Sequence, residues 1–175
     1  EIAQCLVGSE MCIRDSTKED AIGNAMQGMF SMEILFSPDG GVNPFSSMES
    51  GGLGYEMTSD NKLAFYYRAN NKWVLPNNNF QIPIQVGQNA YYHAVVTYNK
   101  TTFRMYLNGN KVKEMKVSGS FNFPQKNQAP DYLMGIGGDY RDVVIPSIQN
   151  SFIGKIVYAR LYKGVLSESD VKKMN

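Results

Sequence analysis

Residues Ser151 to Val171, SFIGKIVYARLYKGVLSESDV, constrain the fold more than any other stretch of the chain. Phe152, Gly154, Ile156, Tyr158, Arg160 and Tyr162 alternate with Ile153, Lys155, Val157, Ala159 and Leu161. Period-two alternation of large apolar residues specifies a strand with one face turned to a core. Lys163-Gly164 supplies a turn, and Val165-Leu166 leads into Ser167, a helix N-cap with an acid three positions on at Asp170. A long strand, a turn and a short closing helix are therefore expected at this end.

The same punctuation recurs upstream. Phe30, Met32, Ile34 and Phe36 alternate with Ser31, Glu33, Leu35 and Ser37, and Pro38-Asp39-Gly40-Gly41 reads as a turn. Short strands are expected at Pro44 to Met48 and at Gly51 to Met57, followed by Lys62 to Arg68 after an Asp60-Asn61 turn. Asn70-Asn71 turns the chain into Lys72 to Leu75, and Pro76 to Asn79 is a polar loop. Tyr92, Ala94, Val96 and Tyr98 face one way, and Tyr91, His93, Val95 and Thr97 the other. Phe103, Met105 and Leu107 share a face before Asn108-Gly109, a type I′ hairpin signal that needs positive φ at both residues. Lys111 to Val117 returns with a charged, solvated face, and Leu133 to Gly138 is a short strand running into a glycine-rich corner. Strands at roughly ten-residue spacing with one terminal helix predict an all-β, antiparallel two-sheet jelly-roll sandwich.

Length and charge narrow the function. The 175 residues suit one domain, and 17 basic against 16 acidic residues leave a net charge of +1 with no basic face for nucleic acid. Cys5 and Cys12 are the only cysteines, so the fold does not rest on a disulfide framework. No apolar run is long enough to span a membrane, and no basic segment followed by an apolar stretch marks a signal peptide. Residues 1–16 follow neither period, and LVGSEMCIRDS is similar to a peptide obtained by translating sequencing-adapter DNA. Residues 1–20 are set aside as an artefact or non-native leader, the alternative being an ordinary strand or flexible terminus, and 21–175 are taken as the domain.

Four landmarks, in order, resemble a known family. Phe30 to Ile34 is similar to the F-T-I-E-A-W-V strand of laminin-G-like domains, and Tyr91 to Tyr98 to their W-H-H-V-A-V-T-Y-D strand. FRMYLNGNKV, Phe103 to Val112, resembles their Y-x-N-G hairpin, and Ser151 to Val171 their closing segment. The resemblance covers residues 29 to 174 and extends to pentraxin-like, concanavalin A-like jelly rolls. The variant it most resembles is the domain appended to bacterial calcineurin-like metallophosphoesterases. It implies a non-catalytic binding or accessory module of a larger exported bacterial protein, outside the cell or at its surface, that binds glycan or docks on a companion catalytic domain. One departure is that members usually open with a further strand, whose place is taken here by the set-aside leader and Ala21 to Gln27.

Among candidate sites, His93 is the only histidine and reads as a packed or hydrogen-bonded sheet residue. A glycoside hydrolase or polysaccharide lyase on the same fold is the competing class, and a structural spacer a third. The former needs paired carboxylates, whereas Glu33, Glu49 and Glu56 are isolated in sequence. The resemblance to pentraxins implies a calcium site at Asp139, Asp142 and Asn150, set against a polar loop in which an Asp merely holds a turn. Ring faces suit pyranose C–H groups, making Trp73, Tyr66, Tyr67, Tyr140 and Phe80 candidate sugar platforms, with core or surface filling as the alternative. Trp73, flanked by Asn70-Asn71 and Asn77 to Asn79, is the best single candidate because amides suit hydroxyl groups.

Overall fold

The computed structural model describes residues 3–6, 28–47, 52–69, 72–74, 80–117, 135–140 and 148–175. The described strands are β1 (Ala3–Leu6), β2 (Phe30–Gly41), β3 (Phe45–Ser47), β4 (Leu53–Met57), β5 (Lys62–Ala69), β6 (Lys72–Val74), β7 (Gln81–Pro83), β8 (Tyr92–Tyr98), β9 (Thr102–Leu107), β10 (Asn110–Lys116), β11 (Gly135–Ile136), β12 (Asp139–Tyr140), β13 (Ile148–Gln149) and β14 (Phe152–Lys163). A short helix, α1 (Glu168–Lys173), follows. The first sheet runs β1-β14-β2-β8-β9-β10 and the second β11-β3-β4-β5-β6, with β7 also on β5; β12 and β13 form a separate ribbon. All of these strand pairs are antiparallel. The architecture is the jelly-roll sandwich expected from the alternation.

The core lies between the two sheets. Phe30, Met32, Ile34 and Phe36 of β2 meet Leu53 and Tyr55 of β4 and Leu63, Phe65 and Tyr67 of β5, all buried. Phe103 joins the layers: its ring lies 4.8 Å from Tyr67 and 5.5 Å from Phe65 in the second sheet, and 4.6 Å from Tyr98 in its own. The Tyr55 hydroxyl crosses the core and donates to the Met32 carbonyl oxygen at 2.8 Å, which satisfies a buried donor.

Two sequence expectations change at β14. Its register shifts between Ile153 and Gly154 and again between Ile156 and Tyr158. At the first the extra residue is Asp39 of β2; at the second it is Val157 of β14, which reverses the parity of the β14 residues beyond it. Ile156, Ala159 and Leu161 are therefore buried in the core, while Tyr158, Arg160 and Tyr162 share the opposite face instead of siding with Ile156. Pro38 to Gly41 does not turn either; β2 runs straight through it, paired with β14 from Lys163 back to Phe152. Gly41 permits this, since a Cβ there would fall 2.3 Å from the Ser151 carbonyl oxygen. An opening strand is present beside β14: Ala3–Leu6, within the segment set aside in sequence, pairs with Tyr158–Leu161.

The turn chemistry follows the sequence. Asn108 and Gly109 both have positive φ, at 47° and 74°, between β9 and β10. Ser167 caps α1, with its Oγ accepting from the Asp170 amide at 3.1 Å and the Asp170 carboxylate accepting from the Ser167 amide at 3.0 Å. The helix lies on the outer face of the first sheet, where Val171 packs with Val95 and Tyr106.

Beside that helix a carboxylate is buried on the same face. Glu33 is fully shielded from solvent, and its register partners are Val95 and Arg160. Its Oε1 accepts from His93 Nε2 at 2.8 Å and from the Tyr158 hydroxyl at 3.1 Å. Oε2 accepts from the Tyr162 hydroxyl and lies 3.5 Å from the Arg160 guanidinium, which stacks 4.1 Å over the Tyr158 ring. Because a carboxylate only accepts, His93 Nε2 carries the proton. His93 is 3% exposed, the hydrogen-bonded sheet residue expected of it. Burial alone would raise the Glu33 carboxyl, but the bonds from His93 and Tyr162, the charge of His93 and the Tyr158 bond outweigh it and hold the group below its ordinary range. Burial and the Glu33 charge in turn push both tyrosines up to about 12.

A lowered native value means that Glu33 stabilises the fold fully above the ordinary carboxylate value of 4.5, and that this contribution is lost as pH falls from there through the native value. Glu33→Gln is expected to cost about 2 kcal/mol at neutral pH and to flatten the acid limb of the stability profile. Urea unfolding across pH 3 to 8, on the order of one unit per step, checks both. An unchanged acid limb in the variant would contradict the assignment.

Candidate functional site

Parity on the second sheet decides which side chains reach solvent. In β5, Leu63, Phe65, Tyr67 and Ala69 are turned to the core, so Tyr66 and Arg68 are turned away from it and are half-buried. In β4, Leu53, Tyr55 and Met57 point inward, leaving Gly54 and Glu56 on the outer face. Gly54 pairs with Tyr66 and with Ser46 of β3, and Ser46 pairs with Gly135 of β11. Glycine is required at 54: a Cβ would lie 2.4 Å from the Ser46 Cβ. Gly52 adopts φ +70°, and the Arg68 stem crosses the space its side chain would fill, Arg68 Cβ lying 2.8 Å from that position. The outer face of the second sheet thus carries a buried row of small residues, Gly52, Gly54 and Ser46, beside one half-buried aromatic, one guanidinium and one carboxylate.

These groups are electrostatically distinct from those on the opposite face. The Tyr66 hydroxyl donates to the Glu56 carboxylate across β4 and β5. Burial pushes the Glu56 carboxyl up, against the effect of that bond. Burial, then the charge and hydrogen bond of Glu56, push Tyr66 up to about 12. Arg68 Nε is shielded from solvent and has no hydrogen-bond partner among the described residues. Trp73 of β6 is the register partner of Arg68.

A second group of polar positions meets at one corner. Asp139 pairs with Gln149 across the β12–β13 ribbon, and Asn150 follows it in a left-handed conformation with φ 52°. The Asn150 carbonyl oxygen accepts from the Asn43 amide at 2.9 Å, and the Gly137 carbonyl oxygen accepts from the Phe152 amide at 2.9 Å. Asn43 is 1% exposed, and its Oδ1 has no partner among the described residues. An orphaned amide oxygen and backbone carbonyls are donor types that a hard cation takes. Among the described residues no three His, Cys, Asp or Glu side chains gather as a metal cluster.

The family model Laminin_G_3, which describes the Concanavalin A-like lectin/glucanases superfamily, matches residues 28–172. The chain belongs to that superfamily. No curated protein matches it by sequence. Solved structures share its fold at low identity. The CBM40 of the Ruminococcus gnavus IT-sialidase superposes with a TM-score of 0.68 at 13% identity, over 99% of this chain and 98% of that one. The NanB sialidase of Streptococcus pneumoniae gives 0.73 at 16% identity, over 98% of this chain but only 28% of that one. Domain 4 of AbnA, a GH43 extracellular arabinanase of Geobacillus stearothermophilus, gives 0.59 at 13% identity, over 84% of this chain and 66% of that one. The chain thus spans less than two thirds of several matched chains, among them the binding domain of botulinum neurotoxin DC at 36%.

The sequence candidates separate on these faces. Tyr66 stands on the outer face, and Trp73 is in register with its neighbour Arg68. Tyr67 does not share that face: it is 1% exposed and stacked against Phe103, because adjacent residues of a strand take opposite sides. Phe80 is likewise in the core. Tyr140 lies in β12, away from Tyr66 in the sheet order, paired with Ile148. Asp139 and Asn150 are brought to one corner, while Asp142 lies outside the described residues. Sequence reasoning missed Arg68, Glu56 and Asn43. Arg68 was accessible to it, two positions from Tyr66 and so on the same side; Asn43 was not, since its partner Asn150 is remote in the chain.

Proposed function

We propose that the chain is a non-catalytic glycan-binding module of a larger exported bacterial protein, with the outer face of the second sheet as its binding surface. The observation that carries this is the placement of Tyr66, Glu56 and Arg68 on one face of β4 and β5, with Trp73 opposite Arg68 in register. A half-buried ring offers an apolar face to the C–H groups of a sugar, while the carboxylate and guanidinium suit its hydroxyl groups. Related folds support the reading: the AbnA domain was solved with arabinotriose and the Ruminococcus gnavus CBM40 with α2,3 sialyllactose. A non-catalytic role is supported by the placement of acids, since Glu33 and Glu56 lie on opposite outer faces and Glu33 is locked by four donors. The companion domain would be a hydrolase such as a metallophosphoesterase, acting outside the cell.

On a glycan array, the wild-type chain is expected to bind at least one glycan class. Trp73→Ala and Tyr66→Ala, each folded, should lower that binding by about tenfold or more. Binding to no glycan would instead favour a spacer or a docking role on a companion domain.

The corner around Asn43 favours a second reading alongside the first: calcium held by Asp139, Asn150 and the Asn43 amide oxygen, bracing β12 and β13 against β3. Calcium would supply positive charge and order there. Calcium at about a hundred times its dissociation constant would add roughly 2.7 kcal/mol. Its addition should therefore raise the melting temperature, a chelator should reverse this, and Asp139→Ala should remove the response. A melting temperature indifferent to calcium would rule the metal out.

A further inference from the structure

Arg68 carries a charge that the described part of the sandwich leaves unanswered. It is half-buried, and its Nε is shielded without an acceptor among the described residues. The other two arginines of the described strands meet carboxylates: Arg104 lies 2.9 Å from Glu114 and Arg160 3.5 Å from Glu33. Glu56, the outward acid of the adjacent strand β4, pairs in register with Ala64 and is engaged by the Tyr66 hydroxyl. Taking a cation partly out of water without a counter-charge costs free energy, and no carboxylate among the described residues offsets that cost. The stem is held by Gly52, whose missing side chain gives it room, so the group is placed rather than loose.

We propose that Arg68 receives the carboxylate of an acidic sugar, so that the ligand of this face is a carboxylated glycan. This rests on the glycan-binding reading of the face and names its ligand class. The planar guanidinium fork matches a carboxylate through two parallel hydrogen bonds, a geometry that a lysine cannot reproduce. Tyr66, two positions along the same face of β5, offers a ring for the pyranose bearing that carboxylate.

The test pairs each acidic probe with its neutral counterpart: oligogalacturonate with its carboxyl-reduced form, and 3′-sialyllactose with lactose, with dextran sulfate as a sulfated control. The wild-type chain should bind a carboxylated probe about ten- to a hundredfold more tightly than its counterpart. Arg68→Gln should abolish that preference with no drop in melting temperature, because no partner among the described residues is lost. Arg68→Lys should restore only part of it. Equal binding of acidic and neutral partners, retention by dextran sulfate alone, or an acid preference that survives in Arg68→Gln would each overturn the proposal while leaving glycan binding intact. Retention of no probe by any variant would overturn the glycan reading together with it.

Discussion

Phe103 is the contact on which the arrangement of this sandwich turns. Its ring touches Phe30 and Tyr98 in the first sheet and Phe65, Tyr67 and Phe80 across the core. Aromatic contacts of this kind bury large area and fix ring geometry. Holding Phe65 and Tyr67 inward leaves β5 one register only, because a one-residue slip would turn both rings to solvent. Tyr66 and Arg68 are outward for that reason. The candidate binding face is thus a consequence of core packing, with no separate device needed to orient it.

The two outer faces of the sandwich have different characters. On the first sheet, Glu33 is saturated by His93, Tyr158, Tyr162 and Arg160, and α1 covers Val95 and Tyr106 alongside it. The donors around Glu33 answer its charge, as a stable buried network requires. On the second sheet the Tyr66–Glu56 pair is satisfied, whereas Arg68 Nε has no acceptor among the described residues. A saturated face braces the fold; a face with an unanswered group is suited to an external partner.

Much of the fold was legible in sequence because period-two alternation and turn chemistry are local signals. The alternation of Phe30 to Phe36, the Asn108-Gly109 turn and the Ser167–Asp170 capping box all correspond to observed elements. Bulges were not legible. The shift at Val157 depends on pairing with β2, over a hundred residues away in sequence, and it gathers Tyr158, Arg160 and Tyr162 around Glu33. The same limit explains Tyr67, singled out for its aromatic ring although its neighbour Tyr66 already claimed the outer side. It also explains Asn43, whose buried oxygen becomes noticeable only when Asn150 and the β12–β13 ribbon lie beside it.

If ligand meets the outer face of the second sheet, amide chemical-shift mapping with oligogalacturonate or 3′-sialyllactose reads that placement directly. The perturbed amides are predicted to cluster at Gly52, Gly54, Glu56, Tyr66, Arg68 and Trp73, with those around Glu33 and α1 unmoved. Perturbations confined to the Asn43–Asn150 corner, or to the face bearing α1, would contradict it.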